Sequence, residues 1–275
     1  MEHSTPAWLI YPQPQEIAYR PDGQQQTWID FSGAIEIVFG DQKARSLLED
    51  LSDNWIDGQL ARLETARDGI DRHAEPAVIR MVHAPECPDQ GYRIDISDGG
   101  VSLQASSGAG LFYGLISLRQ LLAVQPGTLP VLTIEDHPDL VTRGVLIDIG
   151  RGKIPTLKSL YELIDLLAGL KINMVQLYME GYSFAFQRYA EFFPDEAPIT
   201  AEEIQLLDRY ARDRFIDLVP CQNTLGHMEA WLAVPEFNAL AVAPVGLPLV
   251  PGLPPQVTTL DPTDPGSLEL VMNLL

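Results

Sequence analysis

The stretch VPCQNTLGHMEAWL, residues 219–232, gathers side chains that can do chemistry. Gln222, Asn223, His227, Glu229 and Trp231 follow directly on a short apolar run, Phe215 to Pro220, with Gly226 among them. An imidazole can move a proton near neutral pH, and an amide can fix its tautomer without adding charge. His227 and Asn223 are therefore the acid–base and orienting candidates, although a lone histidine also reads as an ordinary structural residue. A metal site is not expected. No HxxxH, HxH or CxxC spacing is present, and His3, His73, His83 and His137 lie far from His227 in sequence. No G-x-G-x-x-G follows a strand, and there is no P-loop or nucleophile elbow. No cofactor is expected.

The elements around this stretch repeat with one grammar. Strand Val145 to Ile149 precedes a helix from about Thr156 to Leu170, with Leu157, Leu160, Tyr161, Ile164 and Leu167 at helical spacing. Strand Ile172 to Met179 follows. Thr200 and Glu203 form a capping box that opens a helix with Ile204, Leu207 and Ala211 inward. Strand Ile216 to Val219 comes next, then a Pro-rich loop and a helix beginning at Asp264-Pro265. This β-α-β-α-β-α order predicts a parallel sheet with crossover helices, fitting the first three units of a longer barrel. The barrel rule puts a site at the C-terminal strand ends. Those ends are polar here: Asp148 to Arg151, Tyr178 to Tyr182, and Gln222 to His227. The last helix starts and shows no stop signal before Leu275, so the sequence reads as truncated.

The first half is less regular. Ala34 to Phe39 and Ala77 to Val82 read as strands, with a helix from Asp41 carrying Ala44, Leu47, Leu48 and Leu51 on one face. Tyr92 to Ile96 and Val101 to Ala105 alternate with period two around Asp98-Gly-Gly100, predicting a hairpin. Leu111, Leu115, Leu118 and Leu122 stripe a helix over about 108–122. Residues 123–142, with Pro126, Gly127, Pro130 and Pro138, read as a connector holding one short apolar stretch, Val131 to Ile134. The predicted fold class is α/β: a small N-terminal α+β domain over 1–137, then the first three βα units of a (β/α)8 TIM barrel over 138–275.

A formal net charge of −20 argues against nucleic acid and anionic membrane as partners, because phosphate binding needs clustered Lys and Arg. Two cysteines, Cys87 and Cys221, are too few for a disulfide framework. The N-terminus MEHSTPAWLIYPQPQ lacks a basic n-region followed by an apolar h-region. The expected setting is cytoplasmic.

Four segments in order then resemble glycoside hydrolase family 20, the β-N-acetylhexosaminidases: GAGLFYGLISLRQLL (108–122), IEDHP (134–138), RGVLIDIGR (143–151), and the pair QLYMEGYSF and QNTLGHM. The resemblance runs from about residue 90 onward. It implies an exo-acting enzyme that removes a terminal N-acetylglucosamine or N-acetylgalactosamine. The mechanism it implies is substrate-assisted and retaining, with the sugar's own acetamido oxygen as nucleophile. It further implies an Asp-Glu pair after a fourth strand, beyond Leu275, with the Glu as general acid. A non-catalytic carbohydrate-binding or scaffold module derived from this fold is the alternative, and a metal-using barrel enzyme a third reading.

The resemblance also suggests roles. Arg143 matches an arginine that holds sugar hydroxyls, against an ordinary ion pair at a domain junction. Asp148 and Arg151 read as a structural ion pair or cap. His227 would lie near the general acid and set its protonation state. Asn223 stands where many members carry Asp, which points to a neutral imidazole. Glu180 would bond a sugar hydroxyl or pair with Arg143, unless it is a solvated loop carboxylate. Trp231 would stack on a pyranose face, unless it is core. Tyr178 and Tyr182 are not separable by alternation, and Glu229 reads as solvated.

Overall fold

A computed structural model of the chain describes residues 10–19, 27–66, 71, 73–249 and 251–275. The N-terminal segment 1–9, His3 included, lies outside the described residues. The chain forms two compact units. The first comprises Met1–Arg143 with Leu166–Ile172 and Asp213–Phe215, and the second the remaining segments from Gly144 to Leu275.

The first unit contains β1 (Glu16–Tyr19), β2 (Trp28–Asp30), β3 (Ile35–Phe39), α1 (Gln42–Ser46), α2 (Trp55–Thr65) and β4 (Ala77–His83). It continues with β5 (Tyr92–Ser97), β6 (Gly100–Ala105), α3 (Gly108–Val124), β7 (Thr128–Pro130) and β8 (Leu132–Asp136). Six strands form a mixed sheet in the order β1-β8-β5-β6-β4-β3, and β2 pairs with β7 separately. The expected hairpin is present, with Tyr92 opposite Ala105 and Ser97 opposite Gly100. Its alternation sends Ile94, Ile96, Val101 and Leu103 into the core. Gly100 turns the chain at φ +103°, where a side chain would strain the backbone and a Cβ would meet the Val78 carbonyl at 2.8 Å.

α3 is buried over most of its length, which explains its near-continuous apolar sequence. A Cβ at Gly110 would lie 2.2 Å from the Gly91 carbonyl oxygen, so glycine there lets the helix approach the sheet. The segment read as a connector is not one. Val131 to Ile134 mostly falls in β8, which sits inside the sheet between β1 and β5. The helix expected from Asp41 is also shorter than its apolar spacing suggested. Asp41 does cap it, accepting from Ala44 N, but α1 spans only Gln42–Ser46.

The second unit holds β9 (Gly144–Asp148), most of α4 (Leu157–Gly169), β10 (Met174–Met179), a 3-10 helix (Gln187–Phe192), α5 (Ala201–Arg212) and β11 (Asp217–Gln222). Short α6 (Glu229–Leu232) and α7 (Pro235–Asn238) precede α8 (Pro265–Leu274). β10 lies between β9 and β11, and both pairings are parallel. Three strands make an open sheet, whereas a closed barrel of this kind has eight. The capping box reads out as drawn from the sequence: Glu203 N donates to Thr200 Oγ1 at 3.2 Å, and Thr200 N donates to Glu203 Oε2 at 2.9 Å. Asp264 accepts from Gly266 N at 2.7 Å and starts α8.

The left-handed position that closes α4 is not a glycine. Ile172 N donates to Leu167 O at 3.0 Å and Lys171 N to Ala168 O at 2.9 Å, a Schellman closure with Lys171 at φ +59°. A lysine in this left-handed position is explained by its side chain. Lys171 Nζ donates to Asp136 Oδ2 and to the Tyr92 hydroxyl, each at 2.8 Å. The ammonium and carboxylate side chains are only 7% and 11% exposed. Among the described residues, no helix is long and apolar enough to cross a membrane.

Candidate active site

Three parallel strands deliver their C-terminal ends side by side, and each contributes a polar group. β9 runs into Asp148, Gly150 and Arg151. Asp148 Oδ1 accepts from Gly150 N at 3.0 Å and shapes the turn. A Cβ at Gly150 would lie 2.4 Å from Glu180 N, so glycine there lets the β9 turn close on the end of β10. Arg151 then meets Glu180. Its Nη2 and Nε donate to Glu180 Oε1 at 2.9 and 3.2 Å. The guanidinium also lies 3.5 Å from Asp148 Oδ2 and 5.5 Å from the Tyr178 ring centroid.

β10 presents Tyr178 and Glu180 together. The Tyr178 hydroxyl donates to Glu180 Oε1 at 2.6 Å and accepts from Asn223 Nδ2 at 2.7 Å. Asn223 N donates to Met179 O at 3.2 Å, extending the β10–β11 ladder by one bond. His227 Nδ1 stands 3.6 Å from the same Glu180 Oε1, with the imidazole 55% exposed. His227 adopts φ +56°, an uncommon conformation for a residue with a side chain. The segment that carries it is held on both sides: Met228 N donates to Thr258 O, and Leu260 N to Leu225 O, each at 2.9 Å.

Burial alone would raise the pKa of Glu180. The Tyr178 hydroxyl, the Arg151 guanidinium and the nearby imidazole outweigh it and hold the carboxyl below its ordinary value. Glu180 is thus an anion at neutral pH. Tyr178 feels opposing effects. The Asn223 amide favours ionisation, but Glu180, as acceptor and as negative charge, and burial together push the hydroxyl above the ordinary range. Tyr178 remains a donor. The result is a rim with one fixed carboxylate, one guanidinium with further N–H groups, and one exposed imidazole. Such a set can grip vicinal hydroxyls and relay a proton.

The structure brings together His227, Asn223 and Glu180 from the sequence reading, and adds two residues to them. Arg151 supplies the guanidinium and Tyr178 the link between Glu180 and Asn223. Asn223 is bonded to Tyr178, so its amide orients that hydroxyl and not the imidazole. Two expectations are corrected. Arg143 belongs to the first unit and does not pair with Glu180. Its five N–H donors go to the Lys171, Leu140 and Val141 carbonyls, Gln90 Oε1 and the Tyr113 hydroxyl. A guanidinium so occupied has no donor to offer a sugar.

Trp231 is the second correction. It is 0% exposed and sits edge-on to Tyr189, Phe193 and Phe186, with Nε1 donating to Gly181 O at 3.1 Å. It is core to the second unit, not a wall for a pyranose. Tyr182 joins that core, stacked on Phe193 at 4.6 Å, which separates it from Tyr178. Glu229 is exposed at the start of α6. Among the described residues, no group of three or more His, Cys, Asp or Glu is placed to hold a metal ion.

Comparison with known proteins finds likeness to glycosidases. The family model "Glycosyl hydrolase family 20, domain 2" matches residues 8–137. A beta-hexosaminidase of Akkermansia muciniphila is 32% identical over 174 residues, covering 56% of this chain and 35% of that protein. A beta-N-acetylhexosaminidase of Cellulomonas fimi is 37% identical over 109 residues, covering 38% of this chain and 22% of that protein. Among solved structures, the N-acetyl-beta-hexosaminidase of Streptomyces plicatus superposes with a TM-score of 0.73 at 26% identity, over 98% of this chain and 56% of that one. The similarity is to glycosidases throughout these proteins. These likenesses support a glycoside hydrolase family 20 protein. It spans about a third of the Akkermansia protein and just over half of the Streptomyces chain.

Proposed function

We propose that this chain is the N-terminal portion of a β-N-acetylhexosaminidase, and that its three strand ends form part of the subsite for a terminal N-acetylglucosamine or N-acetylgalactosamine. The observation that carries the reading is the convergence of Arg151, Tyr178, Asn223 and His227 on Glu180, in a chain of this family. Arg151 takes the role that the resemblance suggested for Arg143: its N–H groups not spent on Glu180 would hold ring hydroxyls in a planar fork. His227 would lie beside the general acid and bias its proton.

The reaction in this reading is substrate-assisted. The acetamido oxygen of the bound sugar attacks the anomeric carbon. The glycosidic bond breaks, and the departing oxygen takes a proton from the acid. Water then opens the cyclic intermediate with retention. The acid and the acetamido-orienting aspartate are assigned to the Asp-Glu pair that would follow a fourth strand of a (β/α)8 barrel, outside residues 1–275. Glu180 is not that acid, because its neighbours favour the anion. The test is turnover of an aryl N-acetyl-β-glucosaminide. The full-length gene product should hydrolyse it, and residues 1–275 alone should not. Turnover by residues 1–275 alone would overturn the assignment of the acid, and an inert full-length product would overturn the enzyme.

A further inference from the structure

Every bond described for the Glu180 carboxylate falls on one of its two oxygens. Oε1 accepts from Arg151 Nη2 and Nε and from the Tyr178 hydroxyl, and faces His227 Nδ1. Oε2 takes none of these bonds. A carboxylate has about four acceptor positions, so this arrangement holds one oxygen by the protein and leaves the other for a ligand. The shortest of the bonds to Oε1 comes from Tyr178, at 2.6 Å. Its direction is enforced, because Asn223 donates to the same hydroxyl and thereby commits the phenol proton to Glu180. The phenol ring has a second contact, beneath the Arg151 guanidinium at 5.5 Å.

We propose that Tyr178 is the positioning residue of this site: its hydroxyl, oriented by Asn223, fixes Glu180 so that Oε2 points to the ligand while its ring supports Arg151. This deepens the hexosaminidase reading and rests on it. Tyr178 touches the carboxylate and the guanidinium, and acts in this proposal through those two groups. It joins β10 to the residue following β11 through side chains alone, so its effect is on the geometry of two neighbours at once. The hydroxyl also helps keep Glu180 ionised.

The experiment uses Tyr178→Phe and Asn223→Ala in the full-length gene product. The phenylalanine keeps the ring and removes only the hydroxyl. Tyr210→Phe is the control. It removes a tyrosine-to-carboxylate bond of similar length, 2.8 Å to Asp165, in the same unit and outside the site. With an aryl N-acetyl-β-glucosaminide, Tyr178→Phe should lower kcat/KM about tenfold or more, the loss expected for a charge-assisted hydrogen bond. It should also move the acid limb of the profile up by about one pH unit, because the anion loses a donor. Asn223→Ala should shift both quantities in the same direction by less, and Tyr210→Phe should shift neither.

A profile for Tyr178→Phe that overlays the parent within twofold would overturn the inference and leave the hexosaminidase reading standing. A full-length product inert on all N-acetylhexosaminides would overturn that reading alone. The inference is then decided by a carboxyl ¹³C titration, with the Glu180 resonance assigned through Glu180→Gln. A raised midpoint in Tyr178→Phe supports the positioning role, and an unchanged midpoint overturns it.

Discussion

Glu180→Ala should lower kcat/KM of the full-length gene product on an aryl N-acetyl-β-glucosaminide by about a hundredfold or more, with little change in melting temperature. The carboxylate is the point on which the site converges. Arg151, Tyr178 and His227 all face Oε1, and Asn223 reaches it through the Tyr178 hydroxyl. Alanine leaves Arg151 with Asp148 as its remaining carboxylate, which lies at 3.5 Å and draws it back along β9. Loss of a charge-assisted hydrogen bond costs about 1.5–3 kcal/mol, and two such bonds give a factor of about a hundred or more. Stability should change little, because the partners gain access to water at the rim: the Arg151 and His227 side chains are 58% and 55% exposed. Glu180→Gln keeps an acceptor without the charge and should fall between alanine and the parent. Steady-state kinetics beside a thermal melt separate the two effects. A hundredfold loss accompanied by a large drop in melting temperature would mean that Glu180 is structural.

Asp136→Ala should do the opposite, destabilising the protein strongly while sparing the chemistry. Lys171 is nine-tenths buried, with Asp136 as its carboxylate partner. Burial lowers the lysine's pKa from its ordinary value, and the attraction of Asp136 opposes that fall. Removing the carboxylate leaves an ammonium held by the Tyr92 hydroxyl in a low-dielectric site. Breaking a buried pair from one side costs about 3–5 kcal/mol. In a unit of this size that is about 10 °C in melting temperature. The double variant Asp136→Leu with Lys171→Met should recover most of the loss, since an apolar pair pays no desolvation penalty for charge. A single variant that melts within two or three degrees of the parent would show that the pair contributes nothing net.

Much of the fold was legible because local periods were clean. The β5–β6 hairpin announced itself through period-two alternation around Asp98-Gly-Gly100, and the buried faces follow that alternation residue by residue. The Thr200–Glu203 box and the Asp264 cap form the bonds their spacing requires. What escaped was what periodicity cannot encode. α2 went unread because Gly58 and several charges interrupt it and only Trp55, Gln59 and Leu63 are buried. β8 is hard to read from sequence because prolines flank a five-residue strand. Its place between β1 and β5 is fixed by pairing with residues more than 30 positions away.

The site shows the same division. His227, Asn223 and Glu180 follow strand ends, where the chemistry of a parallel sheet collects, and the sequence named all three. Arg143 and Arg151 flank the same strand, β9, and the resemblance favoured the wrong end of it for contact with Glu180. The discriminating signal was available. Arg143 precedes the strand and Arg151 follows it, so only Arg151 stands at the C-terminal end. Trp231 was a different error. Its neighbours Met228 and Leu232 are also fully buried, and a helical turn carrying these three together faces a core.

The most direct test compares two arginines in the full-length gene product. Arg151→Ala and Arg143→Ala are measured side by side for kcat/KM on an aryl N-acetyl-β-glucosaminide and for melting temperature. Arg151→Ala should lose about a hundredfold in kcat/KM while melting near the parent. Arg143→Ala should melt lower, because the Leu140, Val141 and Lys171 carbonyls lose a shared donor, while the folded fraction keeps kcat/KM within a few fold. The reverse pattern, with activity lost on Arg143→Ala and kept on Arg151→Ala, would contradict the site described here.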